Sequence, residues 1–346
     1  MHKIDETICK DPFPTIDTIT RNMTYNAQLM NEIGQHASEC QKITNETNSL
    51  LVQGCIPTLN NGLQPFIITV YGPTGSGKSQ FIRNIVSNKL LYPAPETVFF
   101  VTPQKGTIPT EELMAWKAQC VEGAYDGQNN PITNKLVPEF VPLSFDEAIN
   151  EDNLNLDSPQ NIFMKAAKNG PICIIMDECM NKLGTCRSIS SFFHALPSKI
   201  FNRFPKCSGY TVIIVLHNMC PRYDKGNIKD LKIQSKCHII SPQLDGGQIS
   251  RFINTYSFGF DRALISIIKD IIDHARLNSK YSWLIYNNVP ACESFRWSYY
   301  TPDENIKPLY MNIQSLYLRS CKAIKRVHRQ TNYHRMRYIN KLNSFY

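Results

Sequence analysis

The chain has 346 residues, 42% of them hydrophobic, enough for one large buried core with appendages. No apolar run approaches the length of a membrane span, and the N-terminus (MHKIDETICKDP) lacks the apolar stretch of a secretory signal. The twelve cysteines include no C-x-x-C pair, so a reducing compartment is expected, with Cys173 and Cys237 as small core residues. The net charge of +8 is uneven: Glu304 is the last acid and nine basic residues follow it, which leaves the chain before it nearly neutral.

Residues 1–60 are mixed and polar, with a helix expected from about Tyr25 to Leu51. Gly54, Pro57 and Asn61-Gly62 then open a core segment expected over 61–245. Phe66 to Val70 is β-branched and aromatic and reads as a strand. It feeds a glycine-rich loop, Gly72, Pro73, Thr74, Gly75, Ser76, Gly77, Lys78 and Ser79, and Ile82, Ile85, Val86 and Leu90 follow at helical spacing. This is the P-loop pattern in its proper context. Glycines let consecutive backbone N–H groups turn inward toward a phosphate chain, and the helix that starts there adds the positive end of its dipole. Lys78 is placed to reach the β and γ phosphates of ATP, and the Ser79 hydroxyl to ligate Mg2+.

Thr97 to Val101 predicts a second strand, closed by Pro103, and Glu111 to Cys120 a helix. Phe140 to Phe145 reads as a short strand, with helical pieces through Lys168. Ile172 to Met176, Thr211 to Leu216 and Cys237 to Ile240 are further apolar strands, the last stopped by Pro242. Residues 246–304 are expected to extend the core. They hold an amphipathic helix over 261–277, with Leu264, Ile267, Ile268, Ile271, Ile272 and Ala275 on one face, and a late edge strand from Tyr281 to Tyr286. Residues 305–346 form a basic C-terminal segment. Its helix is expected from Leu309 to about Arg329, with Ile313, Leu316, Tyr317, Ile324 and Val327 on one side.

Strands alternating with helices predict an α/β fold, a mostly parallel sheet with helices on both faces. Asp177 and Glu178 close an apolar strand downstream of the loop. In P-loop enzymes an acid here holds magnesium, and a neighbouring Glu can take a proton from the attacking water. At least one strand–helix unit separates this pair from the loop. That favours the additional-strand, catalytic-glutamate type of P-loop NTPase over a nucleotide kinase, and no arginine-rich lid precedes the acids. Asn218, after VIIVLH, stands where such enzymes keep a polar residue that aligns the water, with His217 a weaker candidate. Arg187, Arg203, Arg222 and Arg251 are candidates for an arginine donated between subunits of a dimer or ring, and the sequence does not choose among them. Cys179, Cys186, His194 and Cys207 match no common zinc spacing. In the tail, Arg319, Lys322, Lys325, Arg326, Arg329, Arg335, Arg337 and Lys341, with the later aromatics Tyr333, Tyr338, Phe345 and Tyr346, point to phosphate neutralisation on DNA.

Beyond these motifs, VYGPTGSGKSQ (70–80), PETVFFVTPQ (95–104), GPICIIMDECM (170–180), FFHALPSKI (192–200), FPKCSGYTVIIVLHNMCPR (204–222), LKIQSK (231–236) and MNIQS (311–315) resemble the adenovirus packaging protein 1 family in order and spacing. These are the IVa-two genome-packaging ATPases, and the resemblance covers roughly residues 60–330. About sixty residues precede the core here, where mammalian-virus members usually carry a longer proline-rich extension; the tail also differs in detail. The resemblance implies an ATPase motor that binds packaging sequences and drives viral double-stranded DNA into preformed capsids. It further implies activation of the viral major late promoter. The implied partners are the other packaging proteins, a 33-kilodalton-type late protein and the capsid vertex, in the host nucleus and the virion, with no membrane. A DNA-binding regulator in which ATP is only a conformational ligand is the alternative, and DNA-stimulated phosphate release separates the two.

Overall fold

Each apolar run of the core becomes a strand, and the strands assemble as one sheet. The computed structural model describes residues 16–52, 58–60, 66–121 except 105 and 107, and 137–343 except 187, 205–206, 208, 221–223, 226, 280 and 304. Of these, residues 16–25, 52, 194, 197–198, 201, 330–335, 337–339 and 341–343 are described by backbone alone. The chain opens with α1 (Ile16–Val52), then β1 (Phe66–Tyr71), α2 (Lys78–Ser87), β2 (Thr97–Thr102), α3 (Thr110–Cys120) and β3 (Glu139–Ser144). Three short helices follow, α4 (Phe145–Ala148), α5 (Glu151–Leu154) and α6 (Ile162–Ala167), before β4 (Ile172–Met176). Next come α7 (Met180–Thr185), α8 (Ile189–Arg203), β5 (Tyr210–Leu216), α9 (Asn227–Gln234) and β6 (Cys237–Ile240). The remainder is α10 (Gly246–Tyr256), α11 (Arg262–Asn278), β7 (Trp283–Asn287), β8 (Trp297–Thr301), β9 (Asn305–Pro308) and α12 (Met311–Asn343).

The sheet runs β3-β2-β4-β5-β1-β6-β7-β8-β9. The first six strands in that order are parallel, and the last three add antiparallel. Every residue of β1, β2, β4, β5 and β6 is buried, which explains their unbroken apolar sequences: helices cover both faces of a parallel sheet. β3 is partly exposed and carries Pro142, as befits a strand that, among the described residues, is paired on one side only. β5 lies between β1 and β4, so one extra strand separates the P-loop strand from the strand that ends in the two acids. This is the additional-strand arrangement expected from sequence.

Two expectations are corrected. The strand predicted as a late edge, β7, is internal, flanked by β6 and β8. Its outer neighbour β8 carries two aromatic pairing partners, Tyr299 and Tyr300, and the short β9 follows. The second correction concerns α12, which runs to Asn343, well beyond Arg329. Of its predicted apolar side, Leu316 is buried, whereas Tyr317 and Ile324 are exposed.

The described residues up to 49 together with those from 311 onward form one unit, and residues 50–310 form another. In the first unit α1 and α12 run antiparallel, tied by His36 Nδ1 to Ser320 Oγ (2.8 Å) and by Arg326 to Glu32 (3.7 Å). In the second, α2 packs on the sheet through Phe81, Ile82 and Ile85, all buried with Trp283 and Tyr300 of the antiparallel strands.

Candidate nucleotide-binding site

The chain leaves β1 at Tyr71 and turns back through a loop whose shape needs glycine. Gly75 (φ +76°) and Gly77 (φ +84°) lie in the left-handed region. Ser76 closes the turn by donating both its N–H (3.3 Å) and its hydroxyl (2.8 Å) to the Pro73 carbonyl. A Cβ at Gly72 would meet Ser76 Oγ at 2.6 Å, and one at Gly77 would meet the Tyr281 ring at the same distance. Gly77 caps α2 without any side-chain hydrogen bond. The first-turn N–H groups of α2 are therefore donors for an anion in the loop.

Lys78 is 7% exposed. Its ammonium donates to the carbonyls of Gly72 (3.0 Å) and Pro73 (2.9 Å), and more weakly to His217 Nδ1 (3.5 Å). Burial lowers its pKa, while Asp177 and Glu178 pull it back up. Reaching a terminal phosphate exchanges two neutral carbonyl acceptors for a charged one, a stronger hydrogen bond.

Asp177 follows β4 and is anchored by its N–H to Val101 O (2.9 Å). Its carboxyl is buried, and burial first, then the Glu178 charge, push its pKa up to about 6, with Lys78 opposing. Glu178 has φ +55°, a left-handed conformation that costs a non-glycine residue about 1–3 kcal/mol. Its carboxylate is largely exposed and lies 3.9 Å from His217 Nε2. Burial and then Lys78 lower the His217 pKa, so its ring is neutral at pH 7. With Lys78 donating to Nδ1, the ring proton sits on Nε2, toward Glu178.

Thr74, Gly75, Gly77, Lys78, Ser79, Asp177 and Glu178 line one cleft of about 670 Å³. Gly72, Pro73 and Ser76 shape the loop behind it. Ser79 is half-buried on the first turn of α2, and its hydroxyl with the Asp177 carboxylate gives an all-oxygen donor set that suits Mg2+. Asn218 Oδ1 accepts the N–H of Cys220 (3.1 Å). The preceding residue, His217, is the one that meets Lys78 and Glu178.

Of the arginine candidates, Arg203 binds Asp157 and the Leu156 carbonyl, and Arg251 donates to Cys220 Sγ (2.7 Å). Arg187 and Arg222 lie outside the described residues. In α12, Arg319, Lys322, Lys325, Arg326 and Arg329 are exposed and span about a third of the helix circumference. Arg335, Arg337 and Lys341 continue the same helix, their side chains outside the described residues, as is Tyr346.

More than half of the cleft lining carries no motif signal in the sequence, including Gln80, Phe81, Arg83 and Asn84 of α2. Trp283 and Tyr300 line the cleft from the antiparallel strands, Tyr281 from just before β7, Pro302 from just after β8, and Glu112 from α3. Glu112 is paired with the buried Arg83, which also donates to Gln80 Oε1 (2.6 Å). The available signal was the aromatic density of 281–300 just after an amphipathic helix.

A model of the Adenovirus IVa2 protein family matches residues 2–343. Packaging protein 1 of snake adenovirus serotype 1 is 60% identical over 340 residues, 98% of this chain and 77% of that protein. Packaging protein 1 of canine adenovirus serotype 2 is 48% identical, covering 84% and 65%, and that of human adenovirus C serotype 5 is 46% identical, covering 88% and 69%. The chain thus spans about two thirds to three quarters of the length of these relatives. Among solved structures, the genome packaging NTPase B204 of Sulfolobus turreted icosahedral virus 2 with ATP-gammaS aligns over 71% of this chain and 97% of that one. Its identity is 16% and its TM-score 0.38. The flagellar accessory protein FlaH of Methanocaldococcus jannaschii aligns over 73% and 90%, at 12% identity and a TM-score of 0.35.

Proposed function

The chain belongs to the adenovirus IVa2 protein family, and from that premise we propose that it is an ATP-hydrolysing motor that drives viral double-stranded DNA into preformed capsids. The observation that supports this reading is the convergence of Lys78, Ser79, Asp177 and Glu178 on one cleft. The N–H groups of Gly75, Gly77, Lys78 and Ser79 and the Lys78 ammonium hold phosphate oxygens. Glu178, held by its left-handed backbone with the carboxylate exposed, accepts the proton of the attacking water. The bond from water oxygen to the terminal phosphorus forms as the bond to the bridging oxygen breaks. Mg2+ at Ser79 and Asp177 would neutralise charge on the leaving phosphate oxygens. Asp177 is mostly ionised above about pH 6, as such a ligand requires. His217 accepts from the Lys78 ammonium at Nδ1 (3.5 Å) and turns its Nε2 edge toward Glu178.

An arginine from a neighbouring copy completes the charge, which makes a homo-oligomeric ring the working form. ATP binding closes the interface and product release relaxes it. The exposed basic stripe of α12 supplies the sequence-independent grip on DNA, both at packaging sequences and at the late promoter, which the protein activates. The other packaging proteins, the 33-kilodalton-type late protein and the capsid vertex are its partners, in the host nucleus and the virion.

Lys78→Ala is expected to weaken ATP binding itself. Glu178→Gln is expected to retain ATP and lose DNA-stimulated phosphate release by about a hundredfold or more. Unchanged release by Glu178→Gln would overturn the catalytic assignment. Release that never depends on DNA, with binding intact, would favour the regulator over the motor. DNA affinity that barely changes with ionic strength would remove α12 from the interface.

A further inference from the structure

The cleft is asymmetric about the P-loop strand. Asp177 and Glu178 arrive from β4, two strands to one side of β1, while Tyr281 and Trp283 arrive from β7, two strands to the other. Four strand spacings separate β4 from β7, about 19 Å. β7 is antiparallel to β6, with Leu284 opposite Ile240, so its first residues lie at the same end of the sheet as the phosphate loop. A nucleotide whose terminal phosphate faces the two acids has its base on the β7 side.

That side is built from rings. Trp283 is buried and stacked on Phe81 of α2, with ring centroids 4.7 Å apart, and Tyr300 meets Phe81 edge-on at 4.9 Å. Beside this packed block Tyr281 lies over Gly77, nearly half exposed and lining the cleft. The polar groups alongside are engaged with one another. Asn84 donates to Tyr300 OH (2.8 Å) and accepts from Gln80 (2.8 Å), while Gln80 Oε1 accepts from Arg83 (2.6 Å).

We propose that Tyr281 is the base-stacking residue of this site, and that the site takes purine nucleoside triphosphates by ring area rather than by reading the base edge. This rests on the nucleotide reading above and adds to it where the base lies and what selects it. Every nucleobase has a π face, so stacking favours the larger purines and discriminates weakly between adenine and guanine. With Gln80 and Asn84 committed internally, they are not available as edge readers among the described residues.

The test is equilibrium binding to the full chain with Mg2+, using ATP, GTP, UTP and inorganic tripolyphosphate as probes. Tyr281→Ala is expected to lose on the order of tenfold in ATP affinity while binding tripolyphosphate as the native chain does. Tyr281→Phe, which keeps the ring, is expected to bind ATP normally. In the native chain ATP and GTP are expected within a few-fold of each other, and UTP about tenfold weaker. The proposal is overturned if Tyr281→Ala binds ATP with native affinity, or if it loses tripolyphosphate equally, which would make the ring a support of the loop alone. It is also overturned if ATP exceeds GTP by a hundredfold. A native chain that binds neither ATP nor tripolyphosphate would instead bring down the nucleotide reading itself, a result distinct from an insensitive variant.

Discussion

The two halves of the sheet do different work for the same cleft. The parallel half presents charge: the loop and Lys78 after β1, the acids after β4 and His217 after β5. The antiparallel half presents rings: Tyr281 before β7, Trp283 at its start and Tyr300 near the end of β8. Charge chemistry is held in single side chains at fixed motif spacings, so a substitution there removes a chemical step. Ring chemistry is held by packing, so a substitution there spreads into stability as well as binding.

That contrast is broken most severely at Trp283. Its ring is buried, stacks on Phe81 and lies against Gly72, where a Cβ would approach its Cη2 to 3.2 Å. Trp283→Ala is expected to cost about 3–5 kcal/mol of stability and to weaken ATP binding with it, read by urea unfolding and by titration. A loss of stability with native ATP affinity would separate the two halves that the packing joins.

Asp177→Asn probes the charged half with the opposite sign. An ordinary aspartate titrates at 3.8, and here the folded state raises that to about 6, so the ionised carboxylate costs the nucleotide-free protein about 3 kcal/mol at neutral pH. Because the folded state holds the proton more tightly, this cost is relieved as pH falls from about 6 toward 3.8 and is fully present once pH rises above about 6. Asp177→Asn is expected to raise Tm at pH 7 by an amount that shrinks toward pH 5, and to abolish turnover. A variant less stable than the native chain at pH 7 would contradict the desolvation argument.

The smallest expected effect lies where the halves touch. Gly77→Ala places a methyl group at φ +84° and 2.6 Å from the Tyr281 ring. The backbone term is about 1–2 kcal/mol, and Tyr281 must also shift. Combining it with Tyr281→Ala is expected to cost less than the sum of the two changes, as a thermal-unfolding cycle would show. Strict additivity would mean that loop and ring are not in contact.

The charged half was legible in the sequence and the aromatic half was not, for physical reasons. A phosphate loop must bring backbone N–H groups and one lysine to a fixed geometry, so its glycines and Lys78 cannot be spread out. Strands buried on both faces are continuous apolar runs, and β1, β2, β4, β5 and β6 were found within a residue or so of their ends. β9, four residues with Lys307 exposed and Pro308 last, has no such signal. Without it and β8, the strand beginning at Trp283 reads as an edge. α8 was obscured by Pro197 in its middle, a residue that normally interrupts a helix. His217 and Asn218 are adjacent, and only the fold decides which of the two faces Lys78.

The proposed motor requires a triphosphate in the loop with its terminal phosphate between Lys78 and the Asp177–Glu178 pair. The direct measurement is a structure of the full chain with a non-hydrolysable ATP analogue and Mg2+. The Lys78 ammonium is expected to have moved from the Gly72 and Pro73 carbonyls to the terminal phosphate, with the metal at Ser79 and Asp177. An analogue bound with Lys78 still on those carbonyls and both acids turned from the phosphate would contradict it.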